Sequence, residues 1–470
     1  MNRSLRRDDV GIDRFVIWAA VALLVVLVPL EISTLAQGVP TDFVAFWCAG
    51  KALLAHRNPY LEGGLHACEV AGGLSPKLTL PVPYPPYVMP LFAAFSLLPL
   101  QWSLGLWSAF SIVLTLAAAR ALQRITALPF PVVFSASACV MLVPTLPYGQ
   151  VASLSVGCIA LAILYVRQEK PVACAIALSA ASILPNYALP AWISTWLSMK
   201  RSRAWIAVAG AALLIVAVVV MWPDGLRTYL DRVLPAHGRS EMFGYWQFGL
   251  SALLHAFGVP DQRVLAFCWY LYAVFVCGGI IAGFRLRQRF GGNEWVVASA
   301  AAFGVAGAPF LHGDDLGFAL PLVIMLFAAA PDVLSSALLV LMATPWQVLA
   351  ELGGPQAAIA YPFLMIIFSA VSRGRLLPTA ALFLTITVAS LTALHITNQM
   401  QTPAEALSRM PMTTVSPDAL AEQRWTQLND ALGNPREVWL DRAPTYAGFI
   451  LLIIVAFRAT RLRSYDAVVP

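Results

Sequence analysis

Residues 203–222 read RAWIAVAGAALLIVAVVVMW, a run whose one charge is the arginine at its start. At about 1.5 Å per residue a helix of this length is roughly 30 Å long, the thickness of the hydrocarbon core of a bilayer. A helix on the surface of a soluble protein keeps a polar face, and this run has none. Further stretches repeat the pattern at 15–36, 101–122, 128–146, 149–166, 262–284, 294–311, 316–330, 333–350, 357–372, 376–394 and 444–460. Residues 171–199 are also apolar but are broken by Pro185 and Pro190, so they read as two short helices meeting near Asn186. Residues 86–99 are short, suiting a re-entrant or interfacial segment as well as a span. The expectation is about twelve to fifteen crossings.

The whole chain agrees with its parts. Of 470 residues 59% are hydrophobic and only 11% charged, where soluble domains carry about 25% charged residues. With a mean hydropathy of +0.75 there is too little polar surface to cover a soluble core. A soluble enzyme, a disordered tail and a collagen-like fibre are excluded. The expected fold class is an all-α polytopic integral membrane protein.

Basic residues set the expected orientation. They cluster at Arg3, Arg6, Arg7 and Arg14, at Arg120 and Arg124, at Arg167 and Lys170, and at Lys200, Arg201 and Arg203. Further clusters are Arg285, Arg287 and Arg289, then Arg373 and Arg375, then Arg458, Arg461 and Arg463. The positive-inside rule puts these loops in the cytoplasm, which about fourteen crossings satisfy with both termini inside. The net charge of +6 then reflects topology, and no basic stripe interleaved with aromatics suggests nucleic acid. Outside lie the polar segments 37–86, 223–260, 312–315 and 396–443. A cleavable signal peptide ending at Thr34-Leu35-Ala36 is the competing reading of residues 1–36.

Several chemistries have no signature here. The sequence lacks GxxxxGK[ST], HExxH, CxxC and Asp-x-Asp. Cys139, Cys158, Cys174, Cys268 and Cys277 lie in apolar helices, where a thiol acts as a small hydrophobe. Cys48 and Cys68 share the first outer loop, which leaves a disulfide and two independent thiols both open. Asp314 and Asp315 are adjacent and so make a poor carboxylate dyad.

The first outer loop is more specific. Thr41 suits the cap of a helix on which Phe43, Trp47, Gly50 and Leu54 recur at helical spacing, lying along the membrane surface until Asn58-Pro59 ends it. Asp42 sits in its first turn, where an acid also simply favours the helix dipole. In the last outer loop Ser416 suits the cap of a helix from Pro417 to Gly433, with Ala421, Trp425, Leu428 and Leu432 on one face.

The order of motifs resembles the bacterial membrane glycosyltransferases of family 87, also labelled by the domain of unknown function 2029. These are similar to the polyprenyl-phosphate-mannose-dependent mannosyltransferases of the multispan GT-C fold. The matching motifs are Asp42-Phe43, Pro59-Tyr60, Tyr84-Pro85-Pro86, Leu98-Pro99 with Trp107 beyond, and Gly149-Gln150. They continue with Gln247, Ser251 and Gly258, then Pro309 and Asp315-Leu316. The family's Lys-Pro in the broken helix pair reads Leu184-Pro185 here.

The resemblance implies a GT-C-like catalytic module over 1–395, an extracytoplasmic loop over 396–443, and a last span with a basic cytoplasmic tail over 444–470. It implies an inverting hexosyltransferase of the bacterial inner membrane, moving mannose first of all from a polyprenyl phosphate to a lipid or glycan acceptor. Asp42 is the implied general base. No cofactor or metal is expected, because a lipid monophosphate is already a reasonable leaving group. Candidates for the donor phosphate are His312, beside Asp315, and Arg57. Gln150, Asn186 and Gln247, near outer helix ends, suit sugar hydroxyls as well as capping or interhelical hydrogen bonds. Tyr84 suits stacking on a sugar as well as interfacial anchoring. A carrier or flippase for lipid-linked saccharides is the alternative. Its ionisable residues would be expected deep in the spans rather than at helix ends.

Overall fold

The computed structural model describes residues 12–35, 40–221, 223–242, 244, 246–349, 354–382, 384, 403–411, 415–432 and 438–461. Most of the expected 376–394 span, residues 396–402, Gly433, Ala36 and the basic residues Arg3, Arg6, Arg7 and Arg463 lie outside them. The regular elements of the described residues are all helices, and the only pairing of extended segments among them is the single antiparallel bridge between Leu61 and Leu420.

Four described helices are long and apolar enough to cross a membrane: Leu100–Thr126, Lys200–Met221, Gln262–Phe290 and Arg442–Arg461. Their outward faces carry large apolar side chains, among them Trp102 and Val113 on the first and Val208, Leu214 and Val219 on the second. Water would penalise such surface, whereas lipid does not. Shorter apolar helices complete the bundle, including Phe130–Met141, Ala152–Arg167, Glu294–Ala306 and Val333–Ala343. The apolar runs are thus longer than the helices inside them. The run at 128–146 leaves the helix before Pro144, and that at 294–311 leaves it before Pro309, because proline supplies no N–H to continue the ladder.

Small residues set the closest helix contacts. The Asp261–Phe290 helix lies along Glu294–Ala306, and a Cβ added at Gly283 would stand 2.6 Å from Val296 Cα. Gly279, four residues earlier, meets the Ser299 carbonyl and Phe303 in the same way. This is the small-xxx-small device that lets backbones approach in a membrane.

The broken pair is present as Pro171–Ala181 and Pro185–Ser198. Pro185 makes the break, but Pro190 lies inside the second helix, contrary to the sequence expectation. Its missing N–H would orphan the Asn186 carbonyl four residues back, and the Tyr272 hydroxyl donates to that carbonyl instead.

The polar loops meet at one end of the bundle, and several basic loops meet at the other. Arg167 donates to the Ile125 carbonyl at 2.5 Å and lies 3.7 Å from Glu294, while Arg201 pairs with Glu169 at 3.4 Å. At the polar end Thr41–Leu54 forms the expected helix, though its cap position falls on Pro40 and Thr41 is its first residue; it packs on Met89–Ser96, and a Cβ at Gly50 would run into the Phe92 carbonyl. A disulfide between Cys48 and Cys68 ties it to the next helix, Glu62–Ala71. The last polar loop docks here as well. Its helix begins later than expected, at Glu422, and ends its described part at Leu432. It is fastened to the first polar loop by the Leu61–Leu420 bridge and by a buried Arg424–Glu62 pair at 2.6 Å.

Candidate active site

Two motifs far apart in sequence build the first half of the site. The Phe43 N–H donates to the Tyr148 carbonyl at 3.0 Å, and the Phe43 ring base sits over Gly149. Gly149 has φ +71°, and a Cβ there would stand 2.4 Å from Phe43 Cβ. Both its positive φ and the close approach require glycine. This turn aims Gln150, whose Nε2 donates to Asp42 Oδ2 at 2.6 Å. Asp42-Phe43 and Gly149-Gln150 are therefore one interlocked unit.

The other motifs support it from behind. The Tyr60 hydroxyl donates to the Tyr84 carbonyl at 2.8 Å. Tyr84 packs edge-on to Phe46 at 5.2 Å, and Trp107, fully buried, touches Phe43, Phe46, Phe92 and Phe95. Tyr84 is thus a buried wall of this aromatic cluster. Burial raises the pKa of its phenol well above the usual range, and Asp42, Asp314, Asp315 and Glu241 add to the rise, which puts its hydroxyl end near the acids.

The second half is the turn at 312–315. The Phe248 N–H donates to the Leu311 carbonyl at 2.6 Å, and the Gln247 side-chain carbonyl accepts the Leu311 N–H at 2.7 Å. The Ser251 hydroxyl donates to the Pro309 carbonyl. Gln247, Ser251 and Pro309 thus clamp the strand-like stretch that leads into His312. Asp315 is buried and holds the turn, accepting the His312 N–H at 3.0 Å and lying 2.8 Å from the Tyr187 hydroxyl. Asp314 is only partly buried.

The electrostatics join the two halves. Burial raises Asp42 from 3.8 to about 7, helped by the nearby Asp314 carboxylate and opposed by Gln150, His312 and Thr41. Burial and Asp314 likewise raise Asp315 to about 7. Burial alone would lower His312, but Glu241 at 3.1 Å, with Asp315 and Asp314 behind it, carries it up to about 10. Burial would raise Glu241, yet His312, His237 and the Trp425 indole hold it near 2. The site thus sets a carboxyl whose pKa is raised to about 7 near a histidine whose pKa is raised to about 10. Such a carboxylate is suited to taking a proton near neutral pH.

Of the residues expected from sequence, Asp42, Tyr84, Gln150, Gln247, His312 and Asp315 are brought together. Arg57 is not: it lies exposed beyond the end of the Thr41–Leu54 helix, past His56 with its positive φ of 56°. At Asn186 what the structure ties down is the backbone carbonyl, and its side chain is partly buried in the first turn of its helix. Lys51 sits over the Trp47 ring at 4.9 Å, and the Trp47 N–H donates to the Leu98 carbonyl at 3.0 Å. Sequence reasoning passed over Asp314 and Glu241. Asp314 was visible beside His312, but its side of the turn was not. Glu241 lies in a polar stretch without any motif, so only the fold shows that it faces His312.

Residues 83–311 match the model of glycosyltransferase family 87. That stretch, just under half of the chain, is similar to family 87, whose description is that of a glycosyltransferase. The matched segment carries Tyr84, Gln150, Glu241 and Gln247, while Asp42 and His312 lie outside it. No curated protein and no solved structure matches the chain.

Proposed function

We propose that this chain is an inverting GT-C-type transferase that moves a hexose, mannose first of all, from a polyprenyl phosphate to a lipid or glycan acceptor. The reaction takes place on the extracytoplasmic side of a bacterial inner membrane, with both termini cytoplasmic. Residues 1–395 form the catalytic module, 396–443 the extracytoplasmic loop, and 444–470 the last span and tail. The acceptor oxygen attacks the anomeric carbon while the bond from that carbon to the phosphate oxygen breaks. The acceptor proton passes to Asp42, and the electron pair leaves on the polyprenyl phosphate. His312, as a cation, balances the departing phosphate.

One observation carries this reading: Asp42, held by Gln150, lies close enough to His312 and Asp314, from the far end of the chain, for their charges to act on it. A base and a cation held together on the polar side of a membrane bundle suit displacement at a lipid-held phosphate. The test uses protein in detergent with radiolabelled polyprenyl-phosphate mannose and a lipid extract as acceptor. Label should reach a new product with the wild type and not with Asp42→Asn. Equal transfer by both would remove Asp42 as the base. No transfer from mannose, glucose or arabinose donors would favour the carrier.

A further inference from the structure

Glu241 is 3% exposed, at the end of the helix Leu234–Met242, and is ringed by groups that present hydrogens to it. Its Oε1 accepts the Trp425 indole N–H at 2.9 Å and lies 3.8 Å from His237 Nδ1. Its Oε2 accepts from the Gln247 amide and lies 3.1 Å from His312 Nε2. The orientation of the Gln247 amide is settled independently, because its carbonyl end already accepts the Leu311 N–H at 2.7 Å. Its NH2 must therefore face Glu241. An indole N–H can only donate, and an amide NH2 can only donate. A carboxyl that must accept from both is best served as the ionised, acceptor-only form.

The consequence falls on His312. A buried carboxylate calls for a compensating charge, and His312 Nε2, 3.1 Å from Oε2 and 2.9 Å from the Gln247 amide nitrogen, is the nearest group able to carry one. The backbone that carries the ring is also held, the His312 main-chain N–H donating to Asp315 Oδ2 at 3.0 Å. Trp425 comes from the last polar loop. It stacks on Trp246 at 5.3 Å, and its neighbour Arg424 is locked to Glu62. The loop thus reaches the acid that faces His312.

We propose that Glu241 is a positioning residue that fixes the His312 ring as a cation facing the donor phosphate, and that Trp425 anchors Glu241 from the last polar loop. The assignment to phosphate rests on the transferase reading above. The charge on His312 does not. The groups that face the imidazole are Glu241 and His237 from one helix, Asp314 and Asp315 from its own turn, and Asp42 from the first polar loop. Of these titratable groups Glu241 is the one at contact distance from Nε2, at 3.1 Å, and the Gln247 amide nitrogen lies beside the same ring nitrogen at 2.9 Å.

The experiment follows the imidazole nitrogens of full-length, histidine-labelled protein by NMR between pH 6 and 9, with His312→Gln to identify the resonance. In the wild type His312 should stay protonated at pH 8. In Glu241→Gln it should become neutral below that pH, and in Trp425→Phe, which keeps the ring and loses the donor, the change should be smaller. Binding of a short-chain polyprenyl phosphate at pH 8 should weaken about tenfold in Glu241→Gln and recover towards pH 6, where solvent can protonate the imidazole. A wild-type His312 that is neutral at pH 7 overturns the proposal even if no variant folds. So does an unchanged titration in a folded Glu241→Gln. A cationic His312 in a wild type that binds no polyprenyl phosphate would instead overturn the donor reading and leave the Glu241–His312 assignment standing.

Discussion

The base proposed for catalysis should act against stability, and Asp42→Asn tests that directly. The carboxyl rises from 3.8 to about 7 in the site, first through burial and then through Asp314. At about 1.4 kcal/mol per unit, a rise of roughly three units corresponds to about 4 kcal/mol at most. Asp42 keeps some solvent contact, so about 2 kcal/mol is the sounder expectation. The sign follows from proton binding. Between pH 4 and 7 the folded chain holds a proton that the unfolded chain has lost, so stability falls as pH rises through this window. Above the folded value the full cost is present. Asparagine cannot ionise, and its side-chain oxygen can still accept from Gln150. The gain in apparent Tm of the variant over the wild type should therefore be larger at pH 8.5 than at pH 5, by about 2–4 °C. Intrinsic fluorescence of detergent-purified protein on a heating ramp reads this. Asp314 and Asp315 titrate in both proteins, so the difference between them reads Asp42 together with its coupling to Asp314. A gain that is the same at both pH values would refute the argument that Asp42 is ionised at a cost.

Two further outcomes follow from the same geometry. Gly149→Ala places a methyl against Phe43 in a left-handed backbone conformation, costing about 1–2 kcal/mol for the conformation with overpacking in addition. Transfer should fall by more than the melting temperature suggests, because Gln150 and Asp42 are both displaced; a variant that keeps full activity would show that the interlock is not needed. Opening the disulfide by Cys48→Ser with Cys68→Ser frees a loop of 20-residue separation, worth about 3 kcal/mol in chain entropy. The apparent Tm should drop, and reductant should have no further effect on the double variant; a wild type unmoved by reductant would argue that the thiols are unpaired in the membrane.

The motifs were legible because each makes a local demand. Gly149 needs a backbone that only glycine adopts easily, and Pro185 cannot continue a helix. What they do together was not legible. Asp42 and Gln150 are 108 residues apart, and Gln247 and His312 are 65 apart. Gln247 read as a group for sugar hydroxyls, but its two ends are used on Leu311 and Glu241. Asp315 read as a ligand, and it serves first to hold the turn that presents His312. Pro190 read as a second break and is carried inside a helix because Tyr272 supplies the missing donor. Arg57 read as a phosphate cation on sequence proximity to Asp42, which a helix converts into distance.

By itself the sequence determined that this chain lives in a membrane, since a chain with 11% charged residues cannot cover itself in water. It also determined where helices break and which polar segments are available for chemistry, because hydropathy and proline act over a few residues. Only the tertiary structure decided which of those polar groups meet. Ionisation is set by what surrounds a group, not by what precedes it in the chain. Burial and Asp314 raise both Asp42 and Asp315 to about 7, while His312 and its neighbours hold Glu241, in a stretch without a motif, near 2.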